Sequence, residues 1–167
     1  MNIDPIRQTS PQARDQARQL INDMRHAVMA VSDAATGHPH LSRIACQPDS
    51  DGMPLAFLSA IAVHSRLLEA DPLAGLLIED TGARGDAMAR PRLSLRVTAI
   101  RLDRDDPGHG ARVARWVQHN PKARVYATLP DFHFWRLQIT GGLLNAGFGQ
   151  AFRLTPADLD ESGRPQV

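Results

Sequence analysis

Residues 92–101 form the clearest predicted strand, and from residue 92 to residue 99 they alternate strictly between polar and apolar side chains. Leu93, Leu95, Val97 and Ala99 take every second position, and arginine, serine and threonine stand between them. Successive side chains of a β-strand point to opposite faces, so this period of two predicts a strand with one core face and one polar face. Such strands are typical of antiparallel sheets, because parallel sheets are usually covered on both faces. We therefore expect an antiparallel sheet or the wall of a barrel.

Further apolar segments, separated by turn residues, predict the remaining strands. They cover residues 27–32, 39–47, 53–59, 73–80, 131–144 and 150–154. Within the longest, Gly141-Gly142 predicts a bulge or a tight barrel corner. The hairpin links between about seven strands favour a mostly antiparallel β-barrel with peripheral helices, an α+β fold that is mainly β, over a doubly wound sheet.

Helical signals occupy the chain between these strands. Ser10-Pro11 begins an amphipathic helix that continues to about residue 25, and residues 105–120 form another that begins at Asp105-Asp106-Pro107. Residues 122–129 are a short helical or irregular piece, and residues 81–89 are a loop. We expect one domain over residues 1–167, with the first helix at about 10–25, the barrel at about 26–155 and a polar, frayed tail at about 156–167.

Composition limits the classes of function. No apolar run is long enough to span a bilayer and the N-terminus is polar, so we expect a cytoplasmic protein that does not enter a membrane. The formal net charge of +1 gives no reason to expect a nucleic-acid partner. Cys46 is the only cysteine, which excludes an intrachain disulfide and predicts a buried thiol on a strand.

His64-Ser65-Arg66 opens a short predicted helix that ends at Asp71-Pro72, where proline disfavours helical geometry in the residue before it. At a helix N-terminus, unpaired amides, a hydroxyl and a guanidinium together suit a phosphate. The alternative is that Ser65 only caps the helix.

Arginines on predicted strands are the next candidates. Arg43 lies among apolar neighbours, and a desolvated charge there needs an anionic partner, which is either a ligand or an Asp or Glu of the chain. Arg90 and Arg92 flank Pro91 at the start of the alternating strand and are either anion-binding groups or solvated edge charges.

Other sites find little support in the sequence. His38 and His40 share one side of a strand start, but no third ligand has a suggestive spacing, so we predict no metal site. The chain has no glycine-rich dinucleotide turn, P-loop or nucleophile elbow.

The order of these motifs resembles a known family. Ser42-Arg43, Leu58-Ser59, His64-Ser65-Arg66-Leu67, Asp71-Pro72 and Ala89-Arg90-Pro91-Arg92 follow the pattern of the FMN-binding split barrels related to pyridoxamine 5'-phosphate oxidase. The chain looks most similar to their haem-utilisation (HugZ-type) branch. Its later runs from His119 to Ala123, from Asp131 to Leu137 and from Ala146 to Ala151 also fit that branch.

The resemblance implies a homodimeric split barrel that binds FMN at the dimer interface. In that arrangement Arg43, Ser65 and Arg66 would hold the phosphate, with His64 beside it. Ser59 and Ala60 would lie along the flavin. Arg92 would come from a neighbouring strand, either of the same subunit or of the other one.

Three functions remain open at this point. The first is an FMN-dependent oxidoreductase acting on a small molecule, for which no catalytic acid or base can be named. The second is a haem-binding or haem-degrading protein, in which a histidine such as His133 would serve as iron ligand. The third is a flavin-binding dimer without catalysis. The arginine and tryptophan motif used by pyridoxamine 5'-phosphate oxidases has no clear counterpart, so we do not expect vitamin B6 oxidation. The extra C-terminal domain of longer haem-utilisation proteins has no counterpart either, which weighs against haem binding or degradation.

Overall fold

Strands form the largest share of the described structure. The structure is a computed structural model, and it describes residues 5–80, 82 and 84–160. The strands are β1 (Ile6–Arg7), β2 (His26–Asp33), β3 (His38–Pro48), β4 (Pro54–Ser59), β5 (Leu73–Glu79), β6 (Arg92–Arg101), β7 (Phe132–Asn145) and β8 (Ala151–Leu154). The α-helices are α1 (Pro11–Asp23), α2 (Val63–Ala70), α3 (His109–His119) and α4 (Pro156–Leu159), and 3-10 helices cover Ala87–Ala89 and Pro121–Val125.

Six antiparallel strands close into a barrel. The sheet runs β4-β3-β2-β5-β6, and β7 pairs with β4 on one side and with β6 on the other. Beyond the barrel, β8 pairs with the second half of β7, and β1 adds to β8 in parallel. The predicted antiparallel barrel is confirmed. The two-residue β1 was not predicted, because it is too short to show a period.

The barrel interior holds the main hydrophobic core, and a helix lies near each end. α1 buries Ala13, Ala17, Leu20 and Ile21, as its apolar spacing predicts. Its residues border Glu79 and Pro91, near the start of β6. α2 contributes Leu68 to the same core and lies near the other end of β6.

A second cluster lies outside the barrel, beneath α3. Phe57 of β4 stacks on Phe134 of β7 with ring centroids 4.3 Å apart, and Trp116 of α3 meets both rings edge-on. The predicted alternation of β7 holds, with Phe134 on the face opposite Trp135. Both faces are nevertheless buried at this point, because α3 covers the outer one.

The predicted bulge lies where β7 passes β6. Arg96 pairs with Gly141 and Val97 with Ile139, so Thr140 is the extra residue. A Cβ on Gly141 would fall 2.5 Å from Arg96 Nη2, so the guanidinium in this position packs directly over the glycine.

The predictions for two segments without regular secondary structure need correction. The tail predicted to fray from residue 156 begins instead with α4, where Thr155 and Asp158 form a capping box and Leu159 is buried; residues 161–167 lie outside the described residues. The loop predicted at 81–89 contains the 3-10 helix Ala87–Ala89, and residues 81 and 83 are also outside the described part.

The prediction for Cys46 is confirmed. Its side chain is fully buried on β3, and burial raises the pKa of the thiol to about 12.

Candidate functional site

The first turn of α2 is the strongest candidate for an anion site. Ala62, the N-cap residue, has an extended backbone and provides no side-chain cap, and the first helical bond joins the Arg66 amide to the Ala62 carbonyl at 3.3 Å. The amides of residues 63–65 precede that bond, so they have no acceptor within the helix. The sequence alternative, in which Ser65 caps the helix, is wrong because Ser65 lies inside the first turn.

Ser65 is buried without a partner. Only 1% of the residue is exposed, and its Oγ forms no hydrogen bond with any described residue. A buried hydroxyl without a partner costs free energy, because it has lost its hydrogen bonds to water. A phosphate or carboxylate at this turn would accept from both the amides and the hydroxyl.

His64 holds α2 against β3. Its Nδ1 lies 3.2 Å from Ser42 Oγ, next to Arg43 in sequence. Burial lowers the pKa of His64, and the nearby charge of His40 lowers it further, so the imidazole is neutral at pH 7. A neutral ring adds no charge to the site but keeps a nitrogen available as donor or acceptor.

The two arginines predicted here are exposed and have no anionic partner in the described part of the chain. Neither Arg43 nor Arg66 takes part in any of its ion pairs. The expectation that Arg43 is desolvated is wrong for a single subunit, because Arg43 lies on the outer face of β3, opposite the buried Ile44. Both guanidiniums therefore remain available for a ligand.

Ser59 and Ala60, predicted to follow a flavin, are held by Asp131. Ser59 Oγ donates to Asp131 Oδ2 over 2.6 Å, and the Ala60 amide donates to the Asp131 carbonyl over 2.7 Å. Asp131 thus fixes the link from β4 to α2. It was not among the predicted site residues, because only the folded chain brings it next to Ser59.

Arg92 lies three strands across the sheet from Arg43. It begins β6, whereas Arg101 ends the same strand and forms a 2.7 Å ion pair with Glu69 of α2. Nine residues of strand at about 3.3 Å each separate the two ends by roughly 30 Å. The first turn of α2 contacts Ser42, however, and Ser42 is in register with Leu95 through the two strands between them, so this turn lies three strands across and three residues along from Arg92.

His133 lies beside the same end of the barrel as α2. It pairs with Leu58 on β4 and shares the inner face of β7 with Trp135. Burial lowers its pKa, and the charges of Arg101 and Arg104 lower it further. Its imidazole is therefore a neutral potential ligand.

The outer face of β2, β3 and β5 carries exposed apolar side chains beside polar ones. Leu41 is 64% exposed and Leu73 is 60% exposed. A cavity of about 620 Å³ runs along this face. Its lining includes Ala30, Ser32, Pro39, Gly75, Arg96 and Thr140.

The described residues contain no group of three or more His, Cys, Asp or Glu side chains placed to hold a metal ion. None of the helices in this part of the chain is long and apolar enough to cross a membrane.

Comparison with known proteins places these features in a family. No protein-family model matches the chain. The haem oxygenase HutZ of Vibrio cholerae is 31% identical over 127 residues, which cover 75% of this chain and 72% of HutZ. The chain belongs to the split-barrel family related to pyridoxamine 5'-phosphate oxidase, near its haem-utilisation branch.

Solved split-barrel structures agree with this assignment. The haem-binding protein from Mycobacterium smegmatis is 25% identical with a TM-score of 0.79, covering 90% of this chain and 61% of that protein. A Clostridium acetobutylicum protein of the pyridoxine-phosphate oxidase family shares the fold with a TM-score of 0.66 at 12% identity, covering 94% of this chain and 99% of its own. The resemblance read from the sequence motifs is thus confirmed for family and fold.

Proposed function

We propose that this split-barrel protein binds FMN in a homodimer and acts as an FMN-dependent oxidoreductase on a small molecule. The observation that carries the proposal is the buried, unpartnered hydroxyl of Ser65 in the uncapped first turn of α2. A phosphate there would accept from the hydroxyl and from the helix amides, which carry the positive end of the helix dipole.

The residues around this turn fit a dianionic phosphate. Arg66 lies in the same turn, and Arg43 lies on β3 next to the serine that contacts His64. Guanidiniums without carboxylate partners supply paired donors with the geometry of a phosphate. The neutral His64 holds this turn against Ser42 of β3 and adds no charge of its own to the site.

Each remaining residue has a distinct role in this proposal. Asp131 fixes Ser59 and Ala60 in place, so that the link from β4 to α2 forms a rigid edge along the ring system. FMN would supply the electron transfer, and the chain would supply binding and orientation. Arg92 would reach the site either within the same subunit or from the second one.

Exposed apolar surface supports the homodimer. Leu41 and Leu73 lie on the outer barrel face, where a second copy would remove them from water.

FMN titration of the purified protein tests the proposal. FMN should lose fluorescence on binding, and Ser65→Ala should weaken binding about tenfold or more, because a hydrogen bond to a charged group is lost. Without FMN, Ser65→Ala should leave the thermal midpoint unchanged or raise it, since it removes an unsatisfied buried hydroxyl.

Arginine variants complete the test. Arg43→Ala combined with Arg66→Ala should abolish binding, whereas Arg124→Ala, which removes an exposed arginine of the 3-10 helix Pro121–Val125, should not change it. Absence of FMN binding by the wild-type protein would refute the proposal. If FMN binds, NADH or NADPH oxidation with candidate acceptors separates an enzyme from a flavin store.

Haem is the second candidate, favoured by the names of two relatives, the haem oxygenase HutZ and the haem-binding protein of M. smegmatis. His133 is neutral and adjoins α2, and haem iron takes a neutral imidazole as axial ligand. A visible absorption titration should give a histidine-ligated spectrum that His133→Gln removes. If the spectrum of free haem does not change when the wild-type protein is added, haem binding is excluded.

A further inference from the structure

A small cavity lies beneath α3, on the outer side of the barrel wall. Its volume is about 160 Å³. It is lined by residues 47–50 at the end of β3 and just after it, by Leu55 of β4, and by Arg112, Arg115, Trp116 and His119 of α3. Leu55 lies four residues before Ser59 on β4, which is about 13 Å of strand. The cavity is therefore separate from the candidate site at the first turn of α2.

Trp116, which lines this cavity, carries a buried donor without an acceptor. The residue is 2% exposed, and its Nε1 forms no hydrogen bond with any described residue. Phe57 and Phe134 meet the indole ring edge-on, and neither phenyl ring carries an oxygen or nitrogen atom. An indole nitrogen can only donate, and a buried donor without an acceptor costs free energy. A molecule bound in the cavity would supply that acceptor.

Gln47 adds a buried amide on the strand that faces α3. It is 6% exposed and pairs with Leu55 across β3 and β4, so the two side chains point to the same side of the sheet. Leu55 belongs to the outer cluster with Trp116, and that side is therefore the one covered by α3. The side-chain amide of glutamine both donates and accepts, so it can pair with a second amide in both directions.

The charged groups around the cavity are already paired with one another. Three arginines, at positions 112, 115 and 136, form ion pairs with three aspartates, at positions 49, 51 and 106. The formal charge of this network is zero. An added anion would face the carboxylate of Asp49, which is only 4% exposed, and an added cation would face the guanidinium groups. An uncharged ligand avoids both costs.

We propose that the cavity beneath α3 binds the uncharged carboxamide group of a small molecule. The carbonyl oxygen accepts from Trp116 Nε1, and the amide pairs with Gln47. Pro48 and Leu55 offer apolar contact to the rest of the molecule. The volume is below the roughly 300 to 1,000 Å³ of pockets that bury drug-sized ligands, so the site takes a ligand of a few heavy atoms and not a whole FMN or haem.

Three planar probes of the same shape and different charge test the ligand class. Acetamide is uncharged, acetate is an anion, and acetamidinium is a cation without an acceptor atom. Each is titrated into ¹⁵N-labelled protein, and the indole N–H signal of Trp116 is identified by its loss in Trp116→Phe. Trp135, the only other tryptophan, lies in the barrel core and is the internal control.

Acetamide should move the Trp116 signal in a saturable manner in the millimolar range, because a ligand of so few atoms binds weakly. The Trp135 signal should stay in place. Acetate and acetamidinium should give no saturable shift at the same concentrations. A response to acetamide that does not saturate, as expected for a cavity that holds only water, would overturn the proposal. A saturable shift with acetate that equals the shift with acetamide would overturn the uncharged ligand class.

A glutamine substitution tests the proposed amide pairing. Gln47→Met keeps a long buried side chain and removes both amide groups, so it should weaken acetamide binding at least about fivefold. Gln118→Met is the matched control, because Gln118 is exposed on α3 and does not line the cavity. Equal affinities in the two variants would refute the role of Gln47. The titration of the wild-type protein decides the ligand class even if Gln47→Met folds poorly.

Discussion

Arg115 Nη2 donates to Asp49 Oδ1 over 2.5 Å, and the carboxylate that accepts this bond is only 4% exposed. Arg112 Nε lies 3.5 Å from the other carboxylate oxygen, and Arg136 Nη1 lies 3.9 Å from it. Asp49 therefore joins the turn after β3 to both α3 and β7. These ion pairs hold α3 over the outer aromatic cluster.

Removing this carboxylate should destabilise the protein. Asp49→Ala leaves three partly buried arginines without their common partner, and we expect a loss of about 3 kcal/mol in the free energy of unfolding. Asp51→Asn is the control, because Asp51 is 44% exposed and pairs with Arg136 alone. It should cost less than about 1 kcal/mol. Urea unfolding measures both, and equal losses would contradict this account of Asp49.

Cys46 should react only when the protein unfolds. Burial raises its pKa to about 12, so almost no thiolate exists near neutral pH and none is accessible. A thiol reagent should leave the native protein unlabelled and label one site per chain in urea. Fast labelling of native protein at neutral pH would show that β3 opens locally.

Stability should fall as the pH drops below about 6.5, the usual pKa of histidine. Burial lowers the pKa of His64, and the charge of His40 lowers it further. His64 is therefore protonated in the unfolded chain at pH values where it is still neutral in the folded chain. In this window the unfolded state holds more protons, and stability therefore decreases as the pH falls toward the pKa of the folded state. His64→Gln should reduce this decrease in thermal midpoint between about pH 7 and about pH 5.5. Part of the decrease in thermal midpoint should remain in this variant, because folding also lowers the pKa values of His109 and His133.

α4 should contribute measurably to stability despite its four residues. Leu159 is 4% exposed and belongs to the main core, so Leu159→Ala should cost about 2 to 3 kcal/mol. Ala157→Ser, an exposed change in the same helix, should stay within about 0.5 kcal/mol. If Leu159→Ala proves as mild as Ala157→Ser, α4 does not pack on the core in solution.

The sequence was most informative where the pattern is local. Alternation in β6, the cap at Ser10 and the glycine pair of β7 each reflect sterics or burial over a few residues, and all three predictions are confirmed. The capping box of α4 is also local, but the polar residues from about 156 onward predict a tail instead of a helix. A threonine followed three residues later by an acidic residue would have signalled the helix.

The candidate site was harder to predict because its parts are distant in sequence. Nothing near Ser59 indicates that Asp131, 72 residues later, fixes it. Burial of Arg43 was inferred from apolar neighbours, but alternate residues of β3 face opposite sides of the barrel wall.

The pairing of β7 with both β4 and β6 also bears on how the chain folds during synthesis. Until residues 132–145 have left the ribosome, the five earlier barrel strands form at best an open sheet with two bare edges. Such edges pair readily with other chains. A single late segment thus ends this exposure at both edges at once, so the speed with which β7 docks should decide how much nascent protein aggregates.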